Sequence, residues 1–424
     1  MKLIADFHIH SRFSRATAHD ITVENLNLWM KKKGINVLGT GDFTHPQWLK
    51  ELKENLEPAE PGLYRYKKDD DLKRITRFIL STEISCIYSQ GGKMRRIHHL
   101  ILAPSFEVVD KINVALSWQG NLTSDGRPIL GLSTIELCKL LFSISNEIVI
   151  IPAHIWTPWF SLFGSMSGFD SFEECFGKEW TPKIFAIETG LSSDPQMNWR
   201  LSQLDNVAII SNSDSHSVSK IGREANVFDT ELSFNGLMEA IKSGIPKNYQ
   251  KDKSKFLFTI EFFPEEGKYH YDGHRLCNVV LSPQESKKLN NICPKCQRPL
   301  TIGVMHRVED LADRDENYID PNRPPFKKLV PLEEILAEVL KTTPQSKKVQ
   351  TEFERLIGIF DSELNILLNA DLKDIEKESS FELAEAIKRV REGKLNIRPG
   401  FDGEYGKIKI FSENEVVSSN STLF

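Results

Sequence analysis

The chain has 424 residues, a formal charge of -5 at pH 7, 27% charged residues and 40% apolar residues. At ~100–200 residues per domain this predicts two or three domains, and the apolar content excludes an intrinsically disordered chain. The net charge argues against a generally basic nucleic-acid coat protein but leaves room for a local basic groove.

In chain order, seven short apolar runs predict strands: Lys2–Ala5, Asn36–Gly39, Phe78–Ser81, His99–Ala103, Ile148–Pro152, Ile184–Ile187 and Val207–Ile210. Val23–Lys33 and Thr134–Ser143 have helical spacing between them, which predicts a parallel α/β sheet or barrel. Ser117–Gly131 reads as a loop, and Trp156–Pro182 as a non-regular insert dense in aromatics. Past Phe228 come a helix over Phe234–Ser243, a lysine-bearing linker to Lys255 and a strand over Phe256–Phe263. Lys268–Val308 gathers three cysteines and three histidines, Asn317–Pro325 is a loop, and helices follow over Leu332–Leu340, Lys347–Leu368 and Glu382–Glu392. Ser379 and Glu382 suggest a capping box for the last helix, with Gly393 past its end. These shifts divide the chain into a domain over 1–230 with a linker to about 255, a zinc-binding module over 256–316, a helical domain over 317–411 and a tail over 412–424.

No apolar run approaches ~18 residues, so no membrane span is expected. Asp6 and His8 come too early for a signal-peptide core, so a cytoplasmic chain is expected; the expected state is a monomer.

Metal-competent residues recur at the ends of the strands. The first run delivers His8 and His10, whose i, i+2 spacing puts both on one strand face. Asp42 ends the second, with His45 beyond it, and Glu83 ends the third. His98 and His99 open the fourth, His154 ends the fifth, Glu188 the sixth, and Asp214 and His216 the seventh. In α/β folds chemistry collects at the carboxyl ends of strands, and imidazoles with carboxylates are the ligand set of a multinuclear Zn, Mn or Fe site. Such a site neutralises phosphate charge and lowers the pKa of bound water, which points to phosphoester hydrolysis.

The strings Asp6-Phe7-His8-Ile9-His10-Ser11, Thr40-Gly41-Asp42, Thr82-Glu83, His99-Leu100-Ile101-Leu102, Pro152-Ala153-His154 and Ser213-Asp214-Ser215-His216 resemble the PHP (polymerase and histidinol phosphatase) family over about residues 1–230. The resemblance implies a distorted (β/α)7 TIM-like barrel with a trinuclear site. One metal would take His8, His10, Glu83 and Asp214, and a second would share Glu83 and add His99 and His154. A third would use His216. Family members commonly carry a His right after the second-strand Asp; here that residue is Phe43, so the third site would draw on Asp42 or His45. Ala5–Thr17, Gly39–Pro46, Glu188–Arg200, Ser211–Asn226 and Asp272–Arg314 resemble the endonuclease Q branch of the family over nearly the whole chain. That branch implies incision of damaged DNA on the 5′ side of deaminated bases (uracil, hypoxanthine, xanthine) and abasic sites. It also implies a catalytic zinc cluster, with Mn or Mg as alternatives in activity. Rival expectations are a small-molecule phosphoesterase of the histidinol-phosphatase type and a non-catalytic DNA-binding or clamp-adaptor protein.

His274-x2-Cys277 and Cys293-x2-Cys296, fifteen residues apart, have zinc-ribbon spacing with one thiolate replaced by imidazole and predict one structural zinc. His270 or His306 could stand in for His274. Cys86, Cys138 and Cys175 read as buried thiols.

For DNA, Trp159 in the aromatic insert is a candidate wedge, against a satellite apolar cluster under a loop. Arg96, Arg200 and Arg223 are candidate phosphate contacts, against a solvated charged face. Asp194 is a candidate base acting from behind the metal ligands, or a helix cap. The tail Asn420–Phe424, ending in Leu-Phe, resembles a sliding-clamp binding peptide, against a frayed terminus.

Overall fold

In the computed structural model, residues 1–71, 73–249, 253–412 and 415 are described. Each of the seven apolar runs overlaps a strand: Lys2–Asp6, Val37–Gly39, Arg77–Gln90, Lys93–Ala103, Val149–Pro152, Ala186–Glu188 and Ala208–Ile210, the third and fourth much longer than their runs. The first three run parallel, Ala5 beside Val37 and Val37 beside Arg77. The parallel expectation fails at the next step. Arg77–Gln90 and Lys93–Ala103 form a long antiparallel hairpin, paired from Leu80 with Ala103 to Gln90 with Lys93. Gly91 and Gly92 make its turn with φ of +62° and +74°, a conformation glycine adopts without a Cβ penalty. Val149–Pro152 continues antiparallel from that hairpin, and Ala186–Glu188 pairs in parallel with Ala208–Ile210. Backbone links tie these last strands to the rest: Ile155 N donates to Glu188 O (3.1 Å) and Ile9 bridges Ser215. The architecture is mixed α/β, a large central sheet with helices packed on it.

Local signals explain the helices. In Val23–Lys33, Thr22 accepts from Asn25 N, Gly34 ends the helix with φ +87°, and Val23, Leu26 and Met30 face the core. The same apolar cluster runs from Phe78 and Ile101 in the sheet to Phe353, Leu356 and Ile387 in the C-terminal helices. Lys33 and Glu363, both buried, pair at 2.5 Å across that junction.

Several expectations need correction. The Trp156–Pro182 stretch contains a helix, Phe172–Trp180, and Trp156, Phe163, Phe169, Phe172, Phe176 and Trp180 are buried in the core. The module boundary also moves. Lys255–Glu261 pairs with Ala225–Asp229 and with Phe326–Lys328, so this strand belongs to the central sheet rather than to the zinc module. The long helix expected over Lys347–Leu368 breaks at Asp361 (φ +68°) into Lys347–Phe360 and Glu363–Leu368, the second capped by Ser362. Ser380, not the Ser379–Glu382 box, caps Phe381–Glu392. The region expected to be helical to 411 ends in a β-hairpin, Asn396–Arg398 with Lys407–Lys409.

Among the described residues no helix is long and apolar enough to cross a membrane. The clamp-peptide expectation at Asn420–Phe424 lies outside the described residues.

Candidate metal centre

His8 and His10 leave the end of the first strand on one face, fully buried. Asp214, in a turn with φ +45°, comes up beside them: its Oδ1 lies 3.1 Å from His10 Nε2 and 3.7 Å from His8 Nε2. Glu83 Oε1 sits 2.8 Å from His98 Nδ1 and 3.0 Å from His154 Nε2, while its Oε2 lies 3.4 Å from His10 Nε2. His216 completes one side, its ring 4.6 Å from that of His10. Donor atoms within 4.8 Å of one another form three overlapping triplets: His8, His10 and Glu83; His10, Asp214 and His216; and Glu83, His98 and His154.

His98, not His99, faces this cluster. The hairpin register sets His98 opposite Ser85 and His99 opposite Ile84. Residues opposite one another share a face and neighbours alternate, so His98 joins the face of Glu83. His99 points the other way, bonded through Nε2 to Thr134 Oγ1 (3.0 Å) and edge-on to Phe176. Burial pushes His98 down to about 4 and His99 down to about 3, so both imidazoles are neutral.

Asp42 supports the cluster from behind instead of ligating. Its Oδ1 meets His10 Nδ1 (3.1 Å), and its Oδ2 accepts from Ser11 N (2.6 Å), Ser11 Oγ (2.7 Å) and Ser14 Oγ (2.8 Å), which occupies both oxygens. His45 stands apart: its ring stacks on Phe13 at 4.4 Å and its Nε2 meets Thr123 O. Neither Asp42 nor His45 therefore supplies the extra donor expected beside His216. Glu188 does for His8 what Asp42 does for His10, at 3.0 Å from Nδ1, and His216 Nδ1 donates to Asp214 O (3.0 Å). All three rings thus present Nε2 inward, a fixed tautomer of the kind metal-ligating histidines use. Arg127 was missed; its Nη1 reaches Glu83 Oε2 at 2.8 Å from the Ser117–Gly131 loop, and nothing in the sequence marks it.

Charge is balanced inside this site. Burial presses His8 and His10 down, but the carboxylates of Glu188 and Asp214 around His8, and of Asp42 around His10, raise both well above the ordinary range. Burial presses Glu83 up, yet His98, Arg127 and its hydrogen bonds hold it well below the usual carboxylate range. His8 Nε2, His10 Nε2 and Asp214 Oδ1 are buried without hydrogen-bond partners. Orphaned imidazole nitrogens and carboxylate oxygens aimed at one point fit a divalent-metal donor set.

A cleft of about 920 Å³ opens beside the cluster, lined in part by Thr157, three residues past His154, and Leu191, three past Glu188. Trp159 lies on its lip, 44% exposed, with the Arg96 guanidinium 5.1 Å from its ring. The other DNA and catalytic candidates are engaged within the protein. Arg200 is buried against Glu309 (2.6 Å), and Arg223 donates twice to Ser213 O (3.0 and 2.8 Å), bracing the Asp214 turn. Asp194 caps Pro195–Trp199 by accepting from Met197 N (2.9 Å) and pairs with Lys328 (2.8 Å), the cap role that its Ser-Ser-Asp-Pro turn predicts.

His274, Cys277, Cys293 and Cys296 converge with donor atoms within 4.8 Å of one another, a closed set of one imidazole and three thiols suited to structural zinc. His306 is committed to Asp272 (2.6 Å), and His270 stacks on Tyr271 in the cleft wall, so neither replaces His274. Cys86, Cys138 and Cys175 are buried.

The MJ0043 C-terminal domain family matches residues 331–394. Protein MJ0043 of Methanocaldococcus jannaschii is 35% identical over 257 residues, 60% of this chain, and the chain spans 31% of that relative's length. YqxK of Bacillus subtilis is 28% identical over 423 residues, covering 96% of this chain and 99% of YqxK. The crystal structure of the lesion-specific endonuclease PfuEndoQ from Pyrococcus furiosus is similar over 100% of both chains, with TM-score 0.85 and 30% identity. A complex of endonuclease Q with a 27-mer duplex carrying an abasic lesion at the active site is similar over 100% of both chains, with TM-score 0.84 and 32% identity. The chain belongs to the endonuclease Q family.

Proposed function

We propose that this protein is a metal-dependent endonuclease that hydrolyses the DNA phosphodiester on the 5′ side of uracil, hypoxanthine, xanthine and abasic sites. The observation that carries this reading is the convergence of His8, His10, Glu83, His98, His154, Asp214 and His216, beside a cleft lined by Thr157 and Arg223, which contact His154 and Asp214. End-to-end similarity to a lesion-specific endonuclease supports DNA as the substrate. The seven strands are read as the distorted (β/α)7 barrel of PHP proteins, with Glu83 and His98 inside their strands and the other site residues just past strand ends.

His8, His10, Glu83, His98, His154, Asp214 and His216 would hold the metals. A metal cluster there supplies Lewis acidity and charge neutralisation to phosphoester hydrolysis, with zinc, manganese or magnesium as candidates. Asp42 and Glu188 orient His10 and His8 through Nδ1, and Arg127 adds a fixed cation at Glu83. A target nucleotide must leave the stack before a site inside a protein can reach it. The cleft beside His154 provides space for it, and Trp159 with Arg96 meets the duplex at the lip. The Cys277, Cys293, Cys296 and His274 set would hold one structural zinc.

One gel tests this. Wild type and a His8→Ala/His10→Ala double variant are incubated with uracil, hypoxanthine, abasic and undamaged duplexes. Nicking 5′ of the lesions by wild type alone is expected. Equal nicking of undamaged DNA would defeat lesion specificity, and nicking that survives the double variant would defeat the metal mechanism.

A further inference from the structure

The hairpin Asn396–Arg398 with Lys407–Lys409 follows directly on the matched 331–394 region, and the metal chemistry does not use it. Its loop contributes Tyr405 to the cleft wall and is held there by backbone contacts. Gly400 N donates to Glu265 O (2.8 Å), Gly406 N donates to Glu266 O (3.0 Å), and Phe401 bridges Tyr271. A Cβ on Gly406 would lie 2.0 Å from Glu265 O, so glycine is required for this close backbone approach.

Two features of the hairpin call for a partner. The register sets Arg398 directly opposite Lys407 and Asn396 opposite Lys409, while Ile397 pairs with Ile408. Opposed residues project from one face, so the cations share one side and the isoleucines the other. Like charges directly opposed weaken a two-stranded ribbon, and Lys407 makes no ion pair among the described residues. The second feature is aromatic. Tyr405 is 72% exposed and Tyr269 36% exposed, with Lys268 Nζ 5.9 Å and 5.5 Å from their ring centroids. Both tyrosines line the same cleft as Trp159. Asp402 turns its carboxylate inward, accepting from Arg275 N and Thr301 Oγ1 (2.6 Å each), which leaves Glu404 as the remaining acid of the loop. A row of cations adjoining exposed rings is complementary to a polyanion that also offers flat apolar faces, which describes a nucleic-acid strand with an unpaired base.

We propose that the hairpin 396–409, together with Lys268 and Tyr269, is a DNA-binding ribbon in which Tyr405 stacks on an unpaired nucleobase at the cleft mouth and Lys268, Arg398 and Lys407 take phosphates. This rests on the reading of DNA as the substrate.

Steady-state nicking of an abasic duplex by the full-length enzyme tests it. Tyr405→Ala raises KM roughly 5- to 100-fold, the range that base–aromatic stacking supports, with kcat within twofold. Tyr405→Trp stays near wild type. An Arg398→Ala/Lys407→Ala double variant lowers the slope of log KM against log salt by about 2. An unchanged KM in Tyr405→Ala together with an unchanged slope in the double variant overturns the ribbon. Equal losses in Tyr405→Ala and Tyr405→Trp with a lowered melting temperature overturn the stacking role and assign Tyr405 to the fold. Wild type that neither nicks nor binds the duplex defeats the endonuclease reading, and the ribbon with it.

Discussion

Replacing His98 and His99 with alanine, one at a time, separates the two faces of the strand Lys93–Ala103. His98 Nδ1 lies 2.8 Å from Glu83 Oε1 and 3.3 Å from His154 Nε2, so His98→Ala deletes a donor from the Glu83–His98–His154 triplet. Loss of an outer-shell partner of a metal site costs ~10–100-fold, and loss of a donor itself should exceed that, so lesion nicking is expected to fall at least ~100-fold. Metal content after dialysis should drop by about one ion per chain. The fold should persist, because the ring sits at the cluster and not in the apolar core. His99→Ala should show the reverse. That ring is fully buried, makes one hydrogen bond to Thr134 and packs on Phe176. Losing the bond (~1 kcal/mol) and opening a cavity should cost roughly 2–4 kcal/mol of stability, with metal content and kcat close to wild type. Elemental analysis, nicking rates and thermal melts on both variants decide the matter. Metal lost from His99→Ala and retained by His98→Ala would refute the register argument.

Three further outcomes follow from the same geometry. Asp42→Asn should cost ~10–100-fold in metal affinity or nicking although no donor is removed, because an amide no longer fixes the His10 tautomer; equal metal titrations of variant and wild type would count against it. Cys293→Ser should release one zinc per chain and make residues 264–325 sensitive to protease, while the ions held by His8 and His10 remain; zinc content equal to wild type would exclude the four-ligand site. Burial pushes the Glu261 carboxyl up to about 8 from its ordinary 4.5, against hydrogen bonds from Ser211 and Thr259 that lower it. A raised folded-state pKa means the folded protein keeps a proton the unfolded chain releases. Its contribution to stability is therefore complete below about 4.5 and is lost as pH rises through about 8. Melting temperature should fall between pH 6 and 9, and Glu261→Gln should flatten part of that fall; identical pH slopes would contradict it.

Strand periodicity made most of the site legible. Apolar runs closed by His8 and His10, or by Asp214 and His216, state both the element and the face in the spacing of their residues. What escaped was register. Whether His98 or His99 faces inward depends on pairing with Arg77–Gln90, and that depends on a turn at Gly91–Gly92 inside a polar stretch that carries no apolar alternation. Asp42 and Glu188 looked equivalent to Glu83 because a carboxylate closing an apolar run reads the same whether it faces the centre or the back of an imidazole, and Glu83, expected at a strand end, lies inside Arg77–Gln90. Arg127 and Tyr405 arrive from segments remote in sequence, where only the folded chain gives them meaning. Arg200 and Asp194 had the residue types of a DNA contact and a catalytic group, but Glu309 and the Met197 amide claim them first.

The strand Lys255–Glu261 lies beside Phe326–Lys328, with Thr259 paired to Phe326 and Glu261 to Lys328. Everything between them, zinc ligands included, is an excursion that departs from one strand of the central sheet and returns on its neighbour. The two strands run parallel, so any replacement must cross back from the end of one to the start of the other, about a dozen residues or more, and added length beyond that costs little entropy. The wall that shapes the cleft is in this sense detachable from the frame that holds the metal cluster. The fold could exchange one such excursion for another and meet a different substrate with the same chemistry.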